Sequence, residues 1–315
     1  MRYSHDKVRD VAREILKNPA VTVEPIGNHE LNRHLVYRVN GAERPMVLKI
    51  YYKENRRNRE IAAHKYAELG SVCAPKLLDY GRLPDQREWM LYEFVEGTIL
   101  EDLWPDLDEE DIVHAFRQIG DQLGKIHATA TFDFFGDWNE FGEANERSGS
   151  FKECFIRRQE SYVKTMREYE LPEEQMLESA IALMRDLYVL VDDVQVSRVC
   201  HRDYDGRNIL FVRRDGQLKL TGVIDFEQST PYYVGADLVN LYRKYFIDAP
   251  ELEEAFIQGY ESHLPIDDQF KGLMDYLLLC LGIGICSWSY DDARPHYYEG
   301  IRILDFLRLH SHLDF

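Results

Sequence analysis

Residues 199–227 constrain this chain more than any other stretch. They read Val199-Cys200-His201-Arg202-Asp203-Tyr204-Asp205-Gly206-Arg207-Asn208, then the apolar run Ile209-Leu210-Phe211. A turn at Asp215-Gly216 follows, and a return arm ends in Val223-Ile224-Asp225-Phe226-Glu227. Asp-Gly between two apolar runs is a strong hairpin signal. The pattern therefore places Asp203, Asn208 and Asp225 at the ends of apolar strands. Asp203 and Asn208 share one loop and Asp225 closes the hairpin, so two carboxylates and an amide oxygen can converge on one point. Hard oxygen ligands suit Mg²⁺, which takes few protein ligands and completes its shell with phosphate oxygens and water. In the structural alternative, Asp203 caps a turn and Asp225 merely ends a strand. For His201 alone, bracing the loop is the better reading.

Around this island the texture changes once. An amphipathic helix is expected over residues 5–17, followed by short strand-like runs at VTVEPIG, HLVYRVNG and PMVLKIYY. A helix is expected from Asn58 to Gly70, and further strands over Lys76–Leu83 and Glu88–Val95. Beyond Gly97 helical periodicity dominates, at Ile112–His127, Phe151–Glu168, Glu173–Val191 and most of 236–315, with a polar loop over 132–150. The expected class is α+β and bilobal, with a small β-rich N-lobe over 1–95 and a larger helical C-lobe over 96–315.

The spacing H-R-D-x-x-x-x-N followed by an apolar hairpin and Asp resembles the catalytic and metal loops of the protein-kinase-like fold. Several departures separate it from protein kinases. Asp225 begins D-F-E, no A-P-E segment is present, and the short interval from Asp225 to Asp237 leaves no room for a long activation loop. Met90-Leu-Tyr-Glu-Phe-Val-Glu-Gly-Thr-Ile-Leu, Leu123-Gly-Lys-Ile-His127, Val223-Ile-Asp-Phe-Glu-Gln and Tyr233-Val-Gly-Ala-Asp-Leu resemble the aminoglycoside phosphotransferase and choline-kinase-like superfamily. Arg202 stands where small-molecule members of that family usually have glycine.

The resemblance implies roles. Asp203 would take the proton of an attacking hydroxyl, while Asn208 and Asp225 would hold Mg²⁺. Lys49, on the third strand, would pair with Glu60 and place its ammonium on the nucleotide phosphates. Alternatively, Lys49 snorkels from an edge strand and Glu60 favours a helix N-terminus. The phosphate-covering loop would contain Gly27 and Asn28, and adenine would sit against the backbone of Glu93, Phe94 and Val95. Asp237 would hold the catalytic loop. The donor would be ATP or GTP. The acceptor would be an aminoglycoside-like or other amine-bearing alcohol or, alternatively, a sugar, amino alcohol or homoserine-like metabolite. Ser287–Asp292, Glu261 and the C-terminal Asp314-Phe315 are candidate acceptor contacts, with solvated helix ends and a frayed terminus as the plainer alternatives. Antibiotic resistance and metabolism both fit.

Composition bounds the partners. With 38 Lys+Arg against 56 Asp+Glu the formal charge is −18, which argues against coating nucleic acid and suits a cationic acceptor. Five scattered cysteines without a C-x-x-C pair suggest reduced thiols. The charged N-terminus lacks the apolar core of a signal peptide. The apolar run Leu277–Trp288 is shorter than the about 20 residues a bilayer span takes, so a buried helix is expected. A cytoplasmic protein without membrane or nucleic-acid partners follows as the expectation, with monomer and dimer both open.

Overall fold

In the computed structural model, whose described residues are 2–27, 34–266 and 268–315, the alternating N-terminal runs form one antiparallel sheet. Helix α1 (His5–Leu16) starts at Ser4, whose hydroxyl accepts the Lys7 N–H, and ends at Lys17 in the left-handed region. Strands β1 (Thr22–Pro25), β2 (His34–Asn40) and β3 (Met46–Tyr51) follow, then α2 (Arg56–Leu69), β4 (Leu77–Arg82) and β5 (Glu88–Glu93). The sheet order is β1-β2-β3-β5-β4.

Period-two geometry decides which way Lys49 points. Leu48 and Ile50 are buried with Leu35, Val39 and Leu91 under Val8 and Val11 of α1. Val47 and Tyr51 pack instead with Ile61 of α2 and with Met90 and Tyr92. Lys49 therefore shares the α2 face, between Val36 and Met90 in register. A lysine in an apolar run is thus turned toward the helix carrying Glu60.

The remainder is mainly helical. It comprises β6 (Thr98–Ile99), α3 (Leu100–Leu103), α4 (Glu109–Ala128), β7 (Thr131–Phe132), α5 (Phe151–Met166), α6 (Glu174–Asp186), β8 (Ser197–Cys200), β9 (Ile209–Arg214), β10 (Gln217–Val223), β11 (Thr230–Tyr232), α7 (Gly235–Leu241), α8 (Pro250–Tyr260), α9 (Asp268–Asp292) and α10 (Arg294–His310). Asp108 caps α4, and a reciprocal Ser150–Glu153 capping box starts α5. The sheets β10-β9-β6 and β11-β8-β7 bracket residues 201–208. Strands β6, β7 and β11, two or three residues each, escape a sequence reading because so short a run has no usable period; partners on β8 and β9 create them.

Two other segments are of the expected kind, a buried helix and a polar loop, with added detail. The apolar run Leu277–Trp288 lies within a 25-residue helix, α9. By length and composition α9 can cross a membrane, yet 72% of its apolar window is buried, against α5, α6, α7 and α10. The loop at 132–150 is irregular but anchored, since Arg59 of α2 grips the buried Asp137 through Nε and Nη2, both at 2.7 Å. Gly120 and Gly259 let α4 and α8 touch. A Cβ on either would come within 2.0 Å of a backbone oxygen of the other helix.

Candidate active site

The loop after β8 is held from below by one buried carboxylate. Asp237 accepts the backbone N–H groups of His201 and Arg202, each at 2.7 Å, and its Oδ2 lies 3.1 Å from His127 Nε2. His127 Nδ1 in turn lies 2.7 Å from the Tyr260 hydroxyl, across the close α4–α8 crossing. His201 is fully buried; its Nδ1 accepts the Asp203 N–H, so Nε2 carries the proton it donates to Ile224 C=O at 3.0 Å. Asn208 Nδ2 donates to the Asp203 carbonyl at 2.8 Å, and the Ile224 N–H to the Asn208 carbonyl at 2.9 Å. These bonds bring Asp203, Asn208 and Asp225 together.

Asp203 has an accessible carboxylate, with Arg207 Nη2 at 3.4 Å. Desolvation raises its pKa; Arg207 opposes the shift, while Asp205 and Asp225 add to it. A more basic carboxylate is a better proton acceptor. Arg207 itself is clamped by buried Asp205 through Nε at 3.0 and 3.1 Å.

Asp225 adopts φ +64° and ψ +60°, a region that costs a non-glycine residue about 1–3 kcal/mol and concentrates at functional sites. Its Oδ1 accepts from Lys49 Nζ at 2.7 Å. Lys49 also meets Glu60 at 2.9 Å and Glu227 at 3.0 Å. Burial alone would lower the Lys49 pKa, but Asp225, Glu60 and Glu227 together lift it well above its ordinary value. Burial raises the Glu60 pKa despite Lys49 and the 2.5 Å bond from the Tyr51 hydroxyl. Glu227 resists its own desolvation because Lys49 and His34, at 2.6 Å, hold it far below the carboxylate range. The sequence-level reading of Lys49 and Glu60 corresponds to a direct contact. Glu227, Tyr51, His34 and Arg207 were missed; the glutamate in D-F-E was the available signal for the first.

The hinge residues behave individually. The Phe94 N–H is engaged by Pro45 C=O at 3.2 Å and its ring lies under the Arg38 guanidinium, so Phe94 has no backbone donor to offer. The Glu93 N–H binds Lys76 C=O and its carboxylate meets Arg44. The Val95 N–H has no partner among the described residues, and Val95 packs over Gly222. Gly27 has φ +74°, and none of the described residues comes within 4 Å of where a Cβ would stand, whereas Asn28 lies outside the described residues.

The acceptor candidates fare differently. Glu261 accepts the Ile266 N–H at the end of α8. The hydroxyls of Ser287 and Ser289 are buried on carbonyls of their own helix, while Trp288 is exposed beside His296. The side chain of Asp292 lies outside the described residues. Phe315 packs on the core and Asp314 is exposed.

Phe226 lies between the tilted rings of His201 at 4.7 Å and His64 of α2 at 5.2 Å. Burial, with the Lys49 charge adding, lowers the His64 pKa to about 3 from 6.5. The unfolded chain binds a proton here below pH 6.5 while the folded chain does not, so stability falls as the pH drops below 6.5, by about 1.4 kcal/mol per unit. Urea unfolding at pH 6.5 and 5 is expected to show this loss in the wild type and not in His64→Phe.

A model described as the phosphotransferase enzyme family matches residues 22–273. No curated protein matches the chain. Among solved structures the chain is similar to aminoglycoside phosphotransferase APH(4)-Ia, at 15% identity and TM-score 0.72 over 96% of this chain and 99% of that one. That protein has also been solved, as a thermostable mutant, in a ternary complex with AMP-PNP and hygromycin B. The GDP complex of aminoglycoside 2′-phosphotransferase-IIIa is similar at 14% identity and TM-score 0.68, covering 96% and 98% of the two chains. Spectinomycin phosphotransferase APH(9)-Ia, in complex with ADP and spectinomycin, is similar at 12% identity and TM-score 0.56, covering 91% and 89%. Together these likenesses establish the bilobal protein-kinase-like fold.

Proposed function

The chain belongs to the phosphotransferase enzyme family, with a hydroxyl group as acceptor, and from that premise we propose that it transfers the γ-phosphoryl group of ATP or GTP to an amine-bearing small molecule. The observation supporting the chemistry is the convergence of Asp203, Asn208 and Asp225 beside Lys49. Asp203 takes the proton of the attacking hydroxyl. Lys49, braced by Glu60, directs its ammonium at the nucleotide phosphates, and the Val95 N–H contacts the base. Catalysis then rests on alignment and charge neutralisation.

The donor set suits Mg²⁺. Asn208 Oδ1 and Asp225 Oδ2 have no hydrogen-bond partner among the described residues, and both are hard oxygens. Bound there, the ion would neutralise charge on the transferring phosphate. Asp225→Ala is expected to weaken the Mg²⁺-dependent part of nucleotide binding by more than about tenfold. Calorimetry with and without Mg²⁺ reads this, and unchanged binding would remove Asp225 as a ligand.

The formal charge of −18 and the hygromycin B and spectinomycin complexes of structural neighbours support an amine-bearing acceptor. ATP and GTP consumption across aminoglycosides, sugars, amino alcohols and homoserine tests this. Turnover confined to sugars without an amine would replace it with the sugar-kinase form of the metabolite alternative.

A further inference from the structure

Arg202 directly precedes Asp203 and has φ +69°. Glycine adopts that conformation freely, whereas a residue with a Cβ is strained there. A side chain kept at such a position calls for a use. The Arg202 guanidinium lies over the Tyr232 ring, 3.6 Å from its centroid. The same ring is packed from α5 by Phe151 at 5.1 Å. Arg158, two helical turns further along α5, presents its guanidinium on the same side. Its Nε donates to the Tyr162 hydroxyl at 2.6 Å, and its charge acts on the Tyr232 phenol. Tyr162 in turn lies against Gly284 of α9, where a Cβ would come within 2.9 Å of its ring.

Arg202 thus lies over Tyr232, beside the residue that would serve as base, while Arg158 lies over the Tyr162 ring, 5.5 Å from its centroid. Arg158 is exposed and Arg202 half-buried. Among the described residues neither has a carboxylate partner. That is notable in a chain with 56 acidic against 38 basic residues, where a nearby carboxylate is easy to supply. Tyrosines orient both cations and leave their N–H forks to an anion from outside, and the planar fork matches carboxylate or phosphate oxygens.

We infer that Arg158 and Arg202 bind an anionic group, carboxylate or phosphate, of the acceptor whose hydroxyl reaches Asp203. This rests on the phosphotransferase function proposed above and specifies its substrate class further. An amine-bearing acceptor then also carries an acid, as a homoserine-like molecule does.

The test is binding, independent of turnover. The full-length protein, saturated with AMP-PNP and Mg²⁺ so that the γ-phosphate position is filled, is titrated calorimetrically with inorganic phosphate and separately with acetate. Saturable binding of at least one anion is expected, weakened by about tenfold or more in Arg158→Gln and in Arg202→Gly. The first change is at an exposed site, and the second places glycine where the backbone already favours it. Both variants are therefore expected to keep the wild-type melting midpoint. The anion that binds more tightly tells phosphate from carboxylate. Absence of binding in the wild type, or undiminished affinity in either variant, would overturn the inference. Asp203→Asn should bind the anion like the wild type while losing turnover, so failure of phosphoryl transfer and failure of the arginine pair are read separately.

Discussion

An Asp203→Asn protein is expected to fold, to bind nucleotide as the wild type does, and to turn over about 10²–10⁴-fold more slowly. The bonds that place Asp203 are made by its main chain, from its N–H to His201 and to its carbonyl from Asn208. An amide keeps them and still offers Arg207 an oxygen. What it loses is basicity, which burial and the neighbouring Asp205 and Asp225 carboxylates raise in the wild type. Single-turnover measurement with a saturating acceptor separates this loss from any change in binding. Undiminished turnover in a folded variant would show that the proton leaves by another route.

Lys49→Met is the second large effect, and it concerns stability as much as activity. Methionine fills similar volume but leaves Glu60, Asp225 and Glu227, whose oxygens lie within 4.8 Å of one another, without their shared cation. Breaking a buried pair in this way costs about 3–5 kcal/mol. The sign of the pH dependence follows from linkage. Without the ammonium, the clustered carboxylates hold protons more tightly in the folded chain than in the unfolded one. The folded state then binds more protons, and stability falls as the pH rises. In the wild type, Glu227 lies far below its ordinary pKa, so the stability it contributes is still in place at pH 5 and is lost only below about pH 4.5. The gap between variant and wild type should therefore narrow from pH 7 to pH 5. Urea unfolding at both values checks this; a constant gap would mean that the carboxylates do not depend on Lys49 for their charge.

Much of this arrangement was legible from residue order, for a physical reason. The loop 201–208 and the hairpin to Asp225 are local, and their turn residues and apolar strands specify their shape over short separations. The direction of Lys49 also followed from a local rule, since alternation along β3 turns it away from Leu48 and Ile50. Glu60 lay within one helical segment of it. The hinge was legible as a place but not in detail, because the Phe94 N–H is taken by Pro45, a contact that depends on how the strands meet.

What sequence by itself determined is therefore the set of groups on each segment and their spacing, since strand alternation and hairpin turns act between near neighbours. Tertiary structure alone decided which groups share a charge. Lys49 collects Asp225 and Glu227 from far along the chain, Asp237 reaches back to His201 and Arg202, and Tyr232 comes under the Arg202 guanidinium. Coulombic and hydrogen-bonding energies depend on distance in space, and no periodicity in a sequence encodes a contact made by the packing of remote elements.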